Sequence, residues 1–298
     1  MIATKKISSC LWCHSQEIFK QNCRITQTHD FTSDSNQTYK YVRCASCNSL
    51  NLIDQPIESE LKNIYDAGQY DPYKTKRTVV INETDKRLIS CLNFDRRLKI
   101  LDYGAGSGDY LYKMANIFPG SLLYAVDFDV EAAKRRLVDL DVTVISPDQY
   151  KNSKHEFDHI NISHCLEHLS NPIQVLNKLV SELKTGGILI IRSPVADSFS
   201  SKFFQGYWFG LEAPRHFAIP SRKIFEHFLP FNFNISLLRS KYYGSPIIFM
   251  RSVNYRIPNN LIFRKVIIKL SELIASKFSN FACRYKLSSK AEFFYKKD

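Results

Sequence analysis

Residues 101–111 read LDYGAGSGDYL, with glycine at 104, 106 and 108 between an apolar run and a helix-prone one. Glycine loses more backbone freedom on folding than any other residue, so three within five positions mark a backbone that must turn sharply or be approached closely. The preceding LKILD is a short strand ending on Asp102, and a helix is expected to open near Asp109. Strand, glycine turn and helix in that order put the glycines at the carboxyl edge of a sheet, where open α/β sheets bind ligands. The dinucleotide pattern G-x-G-x-x-G is not met, because the third glycine comes one residue early and Asp109 takes its place. An acid just ahead of the loop opposes a pyrophosphate and favours a cationic ligand.

The same alternation runs on through the chain. LLYAVD, VTVIS, DHINIS and GILIIR are short β-rich segments, and helical stretches such as EAAKRRLVDL and PIQVLNKLVSELK lie between them. This predicts an α/β fold with a parallel sheet covered on both faces. FNISLL and PIIFM are expected to supply the last two strands, so the domain is drawn over residues 56–250. At 298 residues and 44% hydrophobic, the chain can bury such a sheet and carry an accessory module.

The accessory module is the polar, cysteine-bearing segment 1–55. CLWC spans Cys10 to Cys13 and CASC spans Cys44 to Cys47, with β-prone runs such as YKYVRC beside them. Two C-x2-C pairs about 30 residues apart supply four thiolates that can close tetrahedrally on Zn2+. A segment this short and polar has too little apolar area to fold unaided, which gives the metal a structural role. His14 and Cys23 are spare candidates that a four-cysteine site does not require. MIATKKISSC lacks the apolar run of a secretory signal, and no apolar stretch approaches the ~18–20 residues of a membrane span. A cytoplasmic location is expected, and there the thiols stay reduced rather than forming a disulfide framework.

The central region resembles the class I S-adenosylmethionine-dependent methyltransferases, whose first motif reads acid-x-G-x-G-x-G. Asp102, Gly104, Gly106 and Gly108 carry the resemblance, followed in order by Asp127 at the end of LLYAVD, by FDHINISHCLEHLSNP and by LKTGGILIIRSP. It covers about residues 95–250 and implies a doubly wound, seven-stranded, mostly parallel, Rossmann-like sheet. It further implies that the loop, Tyr103, Gly104, Ala105, Gly106 and Gly108, approaches the methionine part of S-adenosylmethionine, with Asp102 holding its amino group. Asp127, 19 residues after Gly108, would accept both ribose hydroxyls. Phe128 would pack on the adenine, and Asp148 would meet the adenine amino group, although SPDQY also reads as an ordinary turn. The ISHCLEHL segment, with His164, would border the sulfonium. Glu167 and His168 match the acid-histidine pair common there, whose role is catalytic or loop-orienting.

Acceptor chemistry points to GYWFGLEAPRHFAIP. It resembles the W-x-G-x-x-x-P-R-H segment of methyltransferases that carry zinc-ribbon heads, many of them linked to glycan and natural-product assembly. Trp208, Gly210, Pro214, Arg215 and His216 stand at the corresponding places. His216 is either a general base, since imidazole titrates near neutrality, or a pocket-shaping residue. Sugar C-methyltransferases of similar make-up carry a large C-terminal lobe for which this chain has too few residues. In SRKIFEHFL a helix opened by Ser221 is expected.

Residues 251–298 hold eleven Lys or Arg against three acids, so about +8 of the formal net charge of +12 belongs to this tail. NLIFRKVIIKLSELIASKF reads as a basic amphipathic helix that lies on an anionic inner membrane surface, covers the acceptor cleft or packs on a second subunit. The expected function is methyl transfer from S-adenosylmethionine to a sugar, a lipid-linked glycan or another small molecule. One rival is a nucleic-acid methyltransferase, against which stands the absence of N/D-P-P-Y/F and Pro-Cys motifs. The other is a non-catalytic zinc-ribbon binding protein on the same fold, against which stand the intact Asp102, glycines and Asp127.

Overall fold

The computed structural model describes residues 2–19, 24–31, 37–57, 59–60, 63–64, 82–92, 97–258 and 260–298; Cys23 lies outside them. Five strands form the parallel centre of a seven-stranded sheet: β6 (Lys99–Tyr103), β7 (Leu122–Val126), β8 (Val142–Ile145), β9 (Phe157–Ser163) and β10 (Leu183–Pro194). The order β12-β13-β10-β9-β6-β7-β8 is completed by β12 (Ile235–Tyr243) and by β13 (Lys290–Lys297), which runs antiparallel to both its neighbours.

The sheet is buried on both faces, as consecutive residues reveal. Leu101, Ile160, Leu189, Ile191, Phe293 and Tyr295 pack into one core, with Leu176 and Leu179 of the helix Pro172–Glu182. Their strand neighbours Ile100, Ile188, Ile190 and Phe294 pack into another, with Leu111 and Met114 of the helix Asp109–Ile117 and Leu88 of the helix Glu83–Cys91. Side chains alternate across a strand, so apolar residues at successive positions require a cover on each side.

Two expectations about the sheet's end are corrected. PIIFM is no strand: Pro246–Arg256 is a helix whose N-cap hydroxyl, on Ser245, accepts from the Ile248 amide, with proline in its first turn. The missing strand comes from the presumed tail. In β13, Ala291, Phe293, Phe294 and Tyr295 are all buried between β10 and β12, so a boundary at residue 250 would cut through the sheet. The helix expected after Ser221 also differs. Ser221 does not cap it; its hydroxyl bonds the Cys47 carbonyl, and the following turn, Ile224–Phe228, is π-helical.

The N-terminal module is a four-stranded antiparallel sheet to which the larger unit contributes an edge. Its strands are β2 (Ile25–His29), β3 (Thr38–Arg43), β4 (Leu50–Leu52) and β11 (Ala218–Ile219), in the order β11-β4-β3-β2, while β1 (Thr4–Lys6) and β5 (Asp54–Pro56) form a separate antiparallel pair. Trp12, between the first two cysteines, is fully buried, donates to the Ala218 carbonyl at 3.0 Å and meets Phe225 edge-on. The cysteine-bearing module is therefore packed into the larger unit rather than tethered to it.

The longest helix among the described residues, Arg264–Arg284, inverts the usual pattern. Its buried face carries small residues, Ser271, Ala275, Ser279 and Ala282. A Cβ on Gly244 would come within 2.6 Å of Ser279, so the small face is what permits the close approach. Val266, Leu270, Leu273, Ile274 and Phe281 point outward, roughly a third of a turn away. No helix among the described residues is long and apolar enough to cross a membrane.

Candidate active site and cysteine centre

The glycine loop lies between β6 and the helix Asp109–Ile117, at the carboxyl edge of the parallel strands. Gly104 and Ala105 donate their amides to the Val126 carbonyl, at 2.8 and 3.2 Å, which folds the loop back over the end of β7. Gly104 has φ +77°, and a Cβ there would sit 2.8 Å from both Cβ and Sγ of Cys165. Gly108, at φ +74°, is the N-cap of the helix, and a Cβ on it would fall 2.6 Å from Leu137. Both positions need glycine for conformation and for space. Tyr103 and Ala105 are buried beside them.

Asp102 is buried at the end of β6. It accepts from Asn161 Nδ2 at 2.6 Å; Asn161 Oδ1 in turn accepts from Arg192 Nη1 at 2.8 Å, and Arg192 Nε bonds Glu292 at 2.6 Å. Burial pushes the Asp102 carboxyl up to about 7, with the Asn161 hydrogen bond and the Arg192 charge pulling the other way and Asp127 adding to the rise. A cation placed here would favour the ionised form.

Asp127 follows β7 at the strand tip. Its Oδ2 accepts the Gly106 amide at 2.8 Å and its Oδ1 the Asp129 amide at 3.1 Å, so the carboxylate is already aimed at the loop. Burial raises its pKa, opposed by these backbone amides. The adjacent Phe128 ring is 62% exposed, a large apolar surface beside a polar cradle. Asp148 is exposed in the first turn of the helix Pro147–Lys151, whose capping box is made by Ser146 and Gln149. These residues line one edge of the sheet, and their chemistry fits an S-adenosylmethionine: an acid for the ammonium, an acid for the ribose and an aromatic face for the base.

His164 leaves β9 at φ +52° and, 40% exposed, contacts Glu167 at 3.3 Å. Glu167 and His168 form a 3-10 turn, Leu166–His168, that packs against the loop through Cys165. Glu167 is fully buried. Burial alone would raise its pKa, but the His164 hydrogen bond and the charges of His168, His164 and His216 overcome it and hold the carboxyl at about 2. His168 is pushed down to about 4 by burial and by His216. The His168 and His216 rings meet edge-on with centroids 4.6 Å apart.

His216 reaches this point from the W-x-G-x-x-x-P-R-H segment. Trp208 is entirely buried, and Gly210 is required beneath it, because a Cβ there would lie 2.4 Å from the indole. Arg215 is buried against Glu212 at 2.9 Å, the Ala213–Pro214 peptide is cis, and His216 Nδ1 lies 2.9 Å from the Gly210 carbonyl. Trp208 thus belongs to the core, while the histidine it helps to place sits beside Glu167 and His168. A cleft of about 450 Å3 opens between β2 and residues Phe203–Tyr207, and no glycine-loop residue lines it.

The four cysteines converge. Cys10 and Cys47 have sulfurs 3.6 Å apart, as do Cys13 and Cys44, too far for disulfides and near the ~3.8 Å edge of a tetrahedral zinc–thiolate site. The two turns repeat one geometry. His14 donates to the Cys10 carbonyl and Asn48 to the Cys44 carbonyl, each at 2.9 Å, with φ of +55° and +64°. Asn51 Nδ2 approaches Cys10 Sγ at 3.6 Å, a donor directed at a sulfur that would carry negative charge. The donor set fits Zn2+, with His14 left outside it.

Asn161, Arg192 and Glu292 escaped the sequence reading. Asn161 stands in DHINIS and Arg192 in GILIIR, where each looks like an ordinary strand residue, and Glu292 lies in a segment not recognised as a strand.

Residues 76–235, just over half of the chain, match a family model described as a methyltransferase domain. No curated protein matches the chain. Solved structures resembling it include coclaurine N-methyltransferase bound to N-methylheliamine and SAH (18% identity, 76% of each chain covered, TM-score 0.42). Others are a SAM-dependent methyltransferase from Archaeoglobus fulgidus (18%, 71% of this chain and 90% of that chain, 0.45) and the cyclopropane synthase MmaA2 from Mycobacterium tuberculosis (11%, 76% and 88%, 0.46). With its glycine loop at the edge of a sheet in which only β13 is reversed, and with the match over residues 76–235, this chain belongs to the methyltransferase-domain family.

Proposed function

We propose that this S-adenosylmethionine-dependent methyltransferase acts on a sugar, a lipid-linked glycan or another small molecule at an anionic membrane surface. S-adenosylmethionine supplies a methyl group already activated on a sulfonium, so the protein's task is mainly alignment and electrostatics. Asp102 holds the ligand's ammonium, Asp127 its ribose hydroxyls, Phe128 and Asp148 its base, and the backbone of residues 103–108 the methionine part with His164 at the rim. Glu167, His168 and His216 form the acceptor side, with His216 as base or as pocket wall. Zn2+ on Cys10, Cys13, Cys44 and Cys47 keeps the ribbon folded against β11.

The observation that carries the acceptor reading is the outward apolar face of the helix Arg264–Arg284. Leu270, Leu273, Ile274 and Phe281 are exposed with Ile262 and Phe263 ahead of them, and Lys265, Lys269, Lys277 and Arg284 stand among them. A patch of this kind is unusual on a protein facing only water, and the basic flanks complement anionic headgroups. The test is transfer of label from methyl-labelled S-adenosylmethionine into an extract of native cells lacking the gene, partitioned into lipid, soluble sugar, protein and nucleic acid. Label in lipid or sugar supports the reading; label in nucleic acid replaces it with the nucleic-acid enzyme, and no label despite cofactor binding favours the binding protein.

A further inference from the structure

Glu167, His168 and His216 come together from two stretches of chain, the turn after β9 and the segment leading into β11. One potential ligand atom from each lies within 4.8 Å of the other two. Glu167 is fully buried, and His216 nearly so. Nδ1 of His216 lies 2.9 Å from the Gly210 carbonyl and Nδ1 of His168 lies 3.1 Å from the Arg215 carbonyl. A carbonyl only accepts, so each ring carries a proton on Nδ1 and presents a lone pair on Nε2 when neutral. The Glu167 carboxylate also meets His164 at 3.3 Å and Ser193 at 3.5 Å, and Glu212 lies 3.9 Å from His216 Nε2. Two imidazoles oriented in this way thus share a strongly anionic pocket with two carboxylates, a donor set suited to a divalent cation. A backbone carbonyl behind each ring is also the arrangement that orients metal-bound histidines.

We propose that Glu167, His168 and His216 bind a divalent first-row transition-metal ion, at a centre separate from the four cysteines. Two imidazoles and one carboxylate suit Mn2+, Fe2+ or Zn2+. Bonds of about 2.1 Å would bring the ligand atoms to roughly 3–3.5 Å from one another, a closure of up to about 1.3–1.8 Å from the 4.8 Å limit. The ion would lie beside the glycine loop, because Cys165 of the same turn abuts Gly104. Its role, which rests on the methyl-transfer reading above, is to bind the oxygen of a hydroxyl acceptor as a Lewis acid. The O–H proton passes to solvent, the oxygen bonds the methyl carbon, and the C–S bond breaks with its electron pair remaining on sulfur. His216 is then a ligand and not a base.

The experiment is titration of the full chain, its cysteine centre loaded with zinc, with Mn2+ followed by electron paramagnetic resonance. Mn2+ prefers oxygen and nitrogen over thiolate, so it reports on this centre alone. About one Mn2+ per chain is expected, with affinity weakened roughly tenfold or more in His168→Ala and in His216→Gln. S-adenosylhomocysteine binding, measured on the same samples, confirms that each variant is folded. No Mn2+ binding in a wild-type chain that binds S-adenosylhomocysteine, or unchanged Mn2+ binding in both variants, overturns the metal centre. Mn2+ binding by a chain that does not bind S-adenosylhomocysteine supports the metal centre while the methyl-transfer reading fails.

Discussion

The Gly106 amide donates to the carboxylate of Asp127 across 2.8 Å, joining the glycine loop after β6 to the tip of β7. The same carboxylate accepts the Asp129 amide, so one side chain organises both turns that border the proposed cofactor site. Asp127→Ala should lower S-adenosylhomocysteine affinity by roughly a hundredfold or more, the loss of two hydrogen bonds to a charged acceptor. Isothermal calorimetry measures it, and an affinity equal to wild type would remove the ribose assignment.

Asp102 makes that binding depend on pH. With its pKa pushed up to about 7, Asp102 is increasingly protonated as the pH falls below neutrality, and a neutral carboxyl no longer attracts an ammonium. Affinity should therefore be full above about pH 8 and fall by up to roughly tenfold per unit below pH 7. In Asp102→Asn the affinity should be low throughout and this step absent. A wild-type profile flat from pH 6 to 8 would contradict the role.

Gly104→Ala should destabilise the fold by about 1–3 kcal/mol, from a side chain at positive φ and from its collision with Cys165. Chemical denaturation reads this directly. A change within about 0.3 kcal/mol would mean that the loop and the Cys165 turn are not held together as described.

Metal analysis should find about one zinc per chain held by thiolates. Cys44→Ser should lose that zinc and loosen the ribbon, which would be followed by the fluorescence of Trp12, buried against Ala218 and Phe225. A folded chain with no thiolate-bound zinc would rule out the ribbon's metal.

Leu270→Glu with Ile274→Glu should abolish sedimentation with vesicles rich in anionic phospholipid while leaving S-adenosylhomocysteine binding intact. Both side chains point away from the protein, so the fold should tolerate the charges. Sedimentation equal to wild type would exclude this face as the membrane contact.

Much of this was legible in the chain's local chemistry. Gly104, Gly106 and Gly108 after an apolar run report a backbone turning at a strand end, and the Cys10–Cys13 and Cys44–Cys47 spacings report two matching knuckles. Successive apolar residues in ILIIR report a strand covered on both faces. Each of these signals is carried by residues a few positions apart, because turn geometry, ligand spacing and side-chain alternation are set within a single element.

What depended on elements meeting across the fold was not legible. The segment AEFFYKK became the strand β13 because the edges of β10 and β12 were available to pair with it, and PIIFM became a helix once Ser245 capped it. Arg192 and Glu292, a hundred residues apart, form an ion pair only because β10 and β13 lie side by side. The same holds for His216 beside Glu167 and His168, and for the helix Arg264–Arg284, whose small residues face inward because Gly244 brings β12 too close for anything larger. Sequence alone determined which segments fold and which ligand chemistry the sheet's edge can offer. Tertiary structure decided which of those segments meet, because hydrogen-bonded edges and buried faces are satisfied by partners that no local pattern names.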